Sequence, residues 1–112
     1  QACCWQKVEQ MKKIVATLML ILIGSGCSTD IAVDADGQEI YSALCTRCHS
    51  SDLSGGVGPA LGAGSDVANQ PDTYLTQTIT SGLGRMPAFR STLTSEQVQR
   101  VVDFLRSNQA GT

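Results

Sequence analysis

The sequence predicts a small all-α domain: three main helices separated by glycine-rich loops. Three observations carry this. Apolar residues recur at helical spacing in three places and nowhere alternate as strands do. Thr94-Ser95-Glu96-Gln97 reads as a helix-opening capping box. Six of the residues between 55 and 64 are Gly or Pro, too dense for a helix.

The 112 residues allow one domain at most, and the first 26 read as a leader outside it. Met11-Lys12-Lys13, the apolar run Ile14 to Ile23 and then Gly24, Ser25 and Gly26 form a signal-peptide pattern. The run is shorter than the roughly 20 residues that span a bilayer. Residues 1–10 precede the expected start methionine and look like upstream translation. Gly26-Cys27 after an apolar run resembles a bacterial lipoprotein box, although Gly24 stands where that pattern prefers Leu. Cys27 is therefore the expected lipidation site, giving an exported protein anchored on the periplasmic side rather than a spanning one. Residues 27–35 are expected as anchor and tether, and 36–112 as the domain.

Asp36-Gly37 opens the first helix, with Asp34 or Asp36 as N-cap. Ile40, Tyr41 and Leu44 share one face, and the helix is expected to carry on through Cys45 and Cys48. Residues 50–70 are expected as loop, whose glycines would let backbone lie against a flat ligand. The second helix covers 71–81: Pro71 suits its first turn, Asp72 its positive end and Gly82 its stop. Tyr74, Leu75 and Ile79 are its apolar face. After Thr94 comes the third helix, with Val98, Val101, Val102 and Leu105 at i, i+3, i+4 and i+7, widened by Phe104. Residues 107–112 are expected as a frayed tail.

The chemistry sits at Cys45-Thr46-Arg47-Cys48-His49. C-x-x-C-H is the attachment site of a c-type haem. Thiols three apart share a face of a helical turn, so Cys45 and Cys48 can each add to a vinyl group on one porphyrin edge. His49, the sole histidine of the chain, then serves as proximal iron ligand. A zinc ribbon would need four ligands. A dithiol oxidoreductase expects a βαβ setting that the flanks lack.

For the second axial position the residues narrow the field. No second His exists, and all three lysines lie within residues 1–26, as do Met11 and Met19. Met86, in Gly84-Arg85-Met86-Pro87, is the expected ligand. Thioether ligation raises the reduction potential. A six-coordinate iron leaves no open position, which points to electron transfer rather than catalysis.

Beyond residue 27 the chain holds five Arg and nine Asp or Glu, a net charge of −4 without lysine. A nucleic-acid partner is excluded by the lack of a basic face, and no small-molecule substrate is expected. The acidic surface suits either docking to a basic patch or solubility alone. About 85 residues make a marginal core, and a covalent haem c would supplement it.

Taken together, residues 36–107 resemble a class I c-type cytochrome. The resemblance rests on the C-x-x-C-H pentapeptide, Gly58-Pro59-Ala60-Leu61, Met86-Pro87 and a last helix with Phe104. It implies the cytochrome c fold, wrapped around one covalent haem. It further implies that Gly37 and Tyr41 on the first helix cross Phe104 on the last. It implies that the carbonyl of Pro59 accepts the proximal imidazole proton. Arg85, Arg90 or Tyr74 could meet a propionate. Mitochondrial relatives dock through a ring of lysines that this chain lacks. The implied function is a one-electron carrier with transient redox-protein partners. The alternatives are a permanent cytochrome subunit of an oxidase or dehydrogenase, or a five-coordinate haem sensor or enzyme.

Overall fold

The computed structural model describes residues 30–111, and these form helices without a single strand. The leader of residues 1–26 and Cys27 lie outside the described residues. Helix α1 spans Gly37–Leu44. Asp36 is its N-cap: the carboxylate accepts from Glu39 N at 2.8 Å, and Glu39 accepts from Asp36 N at 2.9 Å. That reciprocal box satisfies two amides that a helix start would otherwise leave unpaired.

The first helix does not run unbroken through the cysteines. It ends at Leu44, Cys45 is a turn, and Thr46–His49 forms a separate four-residue helix, α2. The Thr46 hydroxyl donates to Ser42 O at 3.0 Å. Such a bond to the carbonyl four residues back bends helices. His49 is followed by Ser50 at φ 65°, ψ 155°. This region is essentially reserved for glycine, and it throws the chain sharply away from α2.

The loop from 50 to 70 is organised by its own backbone bonds: Gly58 N to Cys48 O at 2.8 Å and Leu61 N to Leu53 O at 2.9 Å. It also holds a 3-10 turn at Asp66–Asn69, which the pattern of glycines did not suggest. The Ser65 hydroxyl caps it, accepting from Ala68 N.

Helix α3, Asp72–Ser81, buries Leu75 and Ile79. Tyr74, expected on the same face, is exposed. Helix α4, Ser95–Gln109, opens with the capping box of Thr94 and Gln97 and buries Val98, Val101, Val102 and Leu105. It continues three residues into the segment expected to fray. Its last turn is tied to the rest of the fold. Gln109 Nε2 donates to Leu61 O at 2.7 Å, and Arg106 bonds Ala68 O, Gln70 O and the Asp72 carboxylate.

Helices α1 and α4 cross where Gly37 meets Arg100. A Cβ at Gly37 would stand 2.0 Å from the Arg100 carbonyl oxygen and 2.8 Å from Phe104 Cβ. Tyr41 and Phe104 pack beside this crossing with ring centroids 5.3 Å apart, tilted by 41°. Residues 31–35, expected as a tether, are attached to α4. Gln97 donates to Ala32 O, Arg100 donates to Val33 O and Ala35 O, and Ala35 is buried. The core therefore draws on Ile31 onward.

Candidate haem site

A cavity of about 590 Å³ lies between α1, α2, α3, α4 and the two loops, within the range of about 300–1,000 Å³ usual for ligand pockets. Cys45, Cys48, His49 and Met86 all line it. Its other walls are largely apolar, among them Leu44, Leu61, Leu75, Ile79, Phe89 and Leu105. The fold thus gathers residues from Tyr41 to Leu105 around one space.

The bend at Cys45 and the short helix after it bring both cysteines to the wall of this cavity. Both are free thiols and half-buried. Burial first, and then neighbouring Cys48, push the Cys45 thiol up to about 11. A thiol so raised stays protonated near neutrality.

His49 is buried, and its Nδ1 lies 2.9 Å from the Pro59 carbonyl oxygen. A carbonyl can only accept, so Nδ1 carries the proton and Nε2 keeps its lone pair for a metal. The ring orientation depends on a residue that sequence reasoning assigned another part. A Cβ on Gly58 would stand 2.6 Å from His49 Cε1 and 2.9 Å from Nδ1. The backbone of Gly58 therefore lies against the imidazole itself. Its place directly before Pro59 was the available signal. Tyr41 adds a further brace, its hydroxyl donating to Ser50 O at 2.7 Å just beyond His49.

Met86 is half-buried in a tight turn. Leu83 N donates to Met86 O at 3.2 Å and Met86 N to Leu83 O at 3.0 Å. Phe89 N bonds Ile79 O at 3.0 Å, which ties the end of this turn to α3. Of the residues considered for a propionate, Arg85 and Tyr74 line the cavity and Arg90 does not. Arg47, inside the pentapeptide, lines it too.

These residues fit a covalently attached haem. Two thiols, one imidazole with its proton held on the far nitrogen, and one thioether face a single apolar space of the right size.

Comparison with known proteins agrees with this geometry. Residues 32–105 match the family described as "Cytochrome C oxidase, cbb3-type, subunit III". Cytochrome c6 of Gloeothece citriformis is 31% identical over 106 residues, covering 85% of this chain and 93% of that protein. The cytochrome c subunit of 4-cresol dehydrogenase [hydroxylating] from Pseudomonas putida is 29% identical over 88 residues, covering 78% and 73%. Among solved structures, the KustC0563 c-type cytochrome superposes with a TM-score of 0.61 at 23% identity, covering 67% of this chain and 99% of that one.

Proposed function

Because this chain belongs to the c-type cytochromes of the family described as cytochrome c oxidase, cbb3-type, subunit III, and so is a monohaem electron carrier with one covalent haem c, we propose how its residues hold and tune that group. Cys45 and Cys48 form the two thioethers. His49 and Met86 would hold the iron. The observation that carries the assignment is their convergence on one apolar cavity, with His49 held as the Nδ1–H tautomer by Pro59.

When bound, the haem supplies one reversible electron at its iron. The protein's part is to keep the donors fixed through the change. The Pro59 carbonyl holds the imidazole proton and raises the basicity of Nε2. The Leu83–Met86 turn presents the thioether from a backbone closed by two hydrogen bonds. Leu44, Leu61, Leu75 and Leu105 exclude water, and a dry setting favours the less charged ferrous state. His49 and Met86 would together hold the iron and would leave a substrate no place on it. The protein acts as a carrier rather than an enzyme.

The same reading puts the chain outside the cytoplasm, with residues 1–26 as upstream residues plus a signal peptide that starts at Met11 and residues 36–112 as the electron-transfer domain. Cys27 carries the lipid and residues 27–30 link it to the packed chain. Partners are redox proteins met transiently, through small contacts. A second reading rests on the Pseudomonas putida relative, which is a cytochrome subunit of a dehydrogenase: this chain would then stay bound to one enzyme.

The decisive experiment is a pyridine haemochrome assay on the matured protein with Met86→Ala beside it. The wild type is expected to show one c-type haem per chain and to resist carbon monoxide. Met86→Ala should bind carbon monoxide. It should also lose potential on the order of 0.1 V, a modest part of the roughly 0.8 V that axial ligands span. Wild type that binds carbon monoxide as readily as the variant would overturn the Met86 assignment. The mass of the mature N-terminus tests Cys27. Stable co-purification with a dehydrogenase would favour the subunit reading.

A further inference from the structure

Backbone strain is concentrated at one place in the fold. Among the described residues two non-glycines have left-handed φ, Ser50 at 65° and Leu53 at 64°. Both lie within four residues of His49. Ser50, with ψ 155°, occupies a region that a side chain ordinarily forbids. Residues in such regions persist only where their surroundings over-determine them. Strain of this kind gathers at ligand clamps and active sites, and here it directly follows the buried imidazole.

Two hydroxyls hold Ser50 in this conformation. Its own donates to Gly55 O at 2.6 Å, and that of Tyr41 donates to Ser50 O at 2.7 Å. Its amide donates to Thr46 O at 2.9 Å. The reversal that results feeds a collar of backbone around His49. Gly55 N donates to His49 O at 3.0 Å, Gly58 N to Cys48 O at 2.8 Å and Gly56 N to Gly58 O at 2.9 Å. The collar ends on Pro59, whose carbonyl holds the Nδ1 proton. Gly55 joins the two parts, since its carbonyl accepts from Ser50 while its amide donates to His49. Ser50 itself does not line the cavity, so its route to the iron runs through His49.

We infer that Ser50 is a positioning residue for the imidazole. Its hydroxyl, anchored on Gly55, holds its own backbone in a glycine-like conformation and so keeps Gly58 and Pro59 seated against His49. This rests on the haem reading above and deepens it. A glycine at position 50 would adopt the same φ and ψ freely, whereas serine keeps them only while it is pinned. The placing of Pro59 thus depends on one side-chain hydrogen bond. Without the hydroxyl but with the Cβ, the strain is no longer offset, the turn relaxes and the Pro59 carbonyl moves off Nδ1. An imidazole that loses this bond is less basic and stabilises ferric iron less.

The test compares Ser50→Ala with Ser50→Gly in the haem-loaded protein. Alanine keeps the Cβ and loses the hydroxyl. Glycine loses both, and the strain with them. NMR of the ferrous protein reads the exchange of the His49 Nδ1 proton with solvent, and voltammetry reads the reduction potential. Ser50→Ala should exchange that proton about tenfold faster, within the range that strain of this kind supplies, and its potential should rise. Ser50→Gly should keep both at wild-type values. A thermal midpoint that falls in Ser50→Ala while exchange and potential stay put would overturn the inference, because Ser50 would then serve stability alone. Ser50→Gly that shifts both as far as Ser50→Ala would overturn it too, since the hydroxyl would then act otherwise than through its own backbone. If Ser50→Ala yields no holoprotein, Tyr41→Phe takes its place. It removes the other hydroxyl on Ser50 and should move both readouts the same way, and wild-type values there would overturn the inference. Haem content separates the two levels of failure. One haem per chain with unmoved readouts refutes the role of Ser50 alone, and a colourless wild type refutes the haem reading and this inference with it.

Discussion

The carbonyl oxygen of Pro59 accepts a hydrogen bond from Nδ1 of His49 across 2.9 Å, ten residues along the chain from the imidazole it orients. Gly58 makes that contact possible, since the space beside the imidazole has no room for a Cβ. Gly58→Ala should therefore turn the ring and break the bond to Pro59. Overpacking of this kind costs about 1–3 kcal/mol. A less basic imidazole stabilises ferric iron less, so the potential should rise. Voltammetry reads the potential, and the NMR resonance of the Nδ1 proton reads the bond.

A second prediction concerns the crossing of α1 and α4. The Cβ of an alanine at Gly37 would meet the Arg100 carbonyl, which is helix backbone and cannot swing aside. The two helices must then separate, and Tyr41 and Phe104 with them. Gly37→Ala should cost about 3 kcal/mol, at the upper end for overpacking. The thermal midpoint would fall by more than 10 °C, taking about 4–8 °C per kcal/mol for a domain of this size. An unchanged melting curve would show that the crossing is loose.

Tyr41 yields a prediction in two parts. Tyr41→Phe keeps the ring against Phe104 but removes the donor to Ser50 O. The loss should be about 1 kcal/mol, or about 4–8 °C. In the folded protein the Tyr41 hydroxyl is pushed up from 10.0 to about 12, by burial first and then by the charges of Cys45 and Asp52. The thioether removes the Cys45 contribution, but burial, the larger cause, remains. A raised pKa on an acid means that the fold favours its neutral form. This stabilisation is fully present below about pH 10 and is lost as pH climbs through about 12. Denaturant melts should show the wild type weakening across that window, and Tyr41→Phe a flatter profile.

Helix positions were legible in the sequence because their signals are local. Asp36 with Glu39, and Thr94 with Gln97, close their capping boxes within four residues. The stripe from Val98 to Leu105 needs no knowledge of what it packs against. Three features could not be read this way. The break at Cys45 comes from the Thr46 hydroxyl choosing a carbonyl over solvent. The last turn of α4 persists because Gln109 and Arg106 find carbonyls 36 to 48 residues away. The packing of residues 31–35 depends on Gln97 and Arg100, more than 60 residues distant. In the last two cases a polar side chain met a distant backbone group, and no spacing rule encodes such meetings; in the first the bond is local, and the sequence permits it without requiring it. At the site, residue types were readable from chemistry, whereas Gly58 against the imidazole was a matter of shape.

The last prediction tests how Met86 is held. Gly82 ends α3 at φ 76°, a conformation that costs a side-chain-bearing residue about 1–3 kcal/mol. A Cβ there would also stand 2.6 Å from the Met86 carbonyl oxygen and 3.0 Å from Ala88 N. That carbonyl receives the Leu83 amide, so the clash falls on the hydrogen bond that closes the turn. Gly82→Ala should shift the turn as a unit and draw the thioether away from its place, while Met86 itself is untouched. Carbon monoxide should then bind ferrous protein that still contains one haem per chain and both thioethers. The thermal midpoint should fall by about 4–8 °C for each kcal/mol of strain. Gly82→Ala that loses stability but still excludes carbon monoxide would mean that the thioether is positioned by the cavity walls, Leu75 and Phe89 among them, and not by the backbone of its own turn.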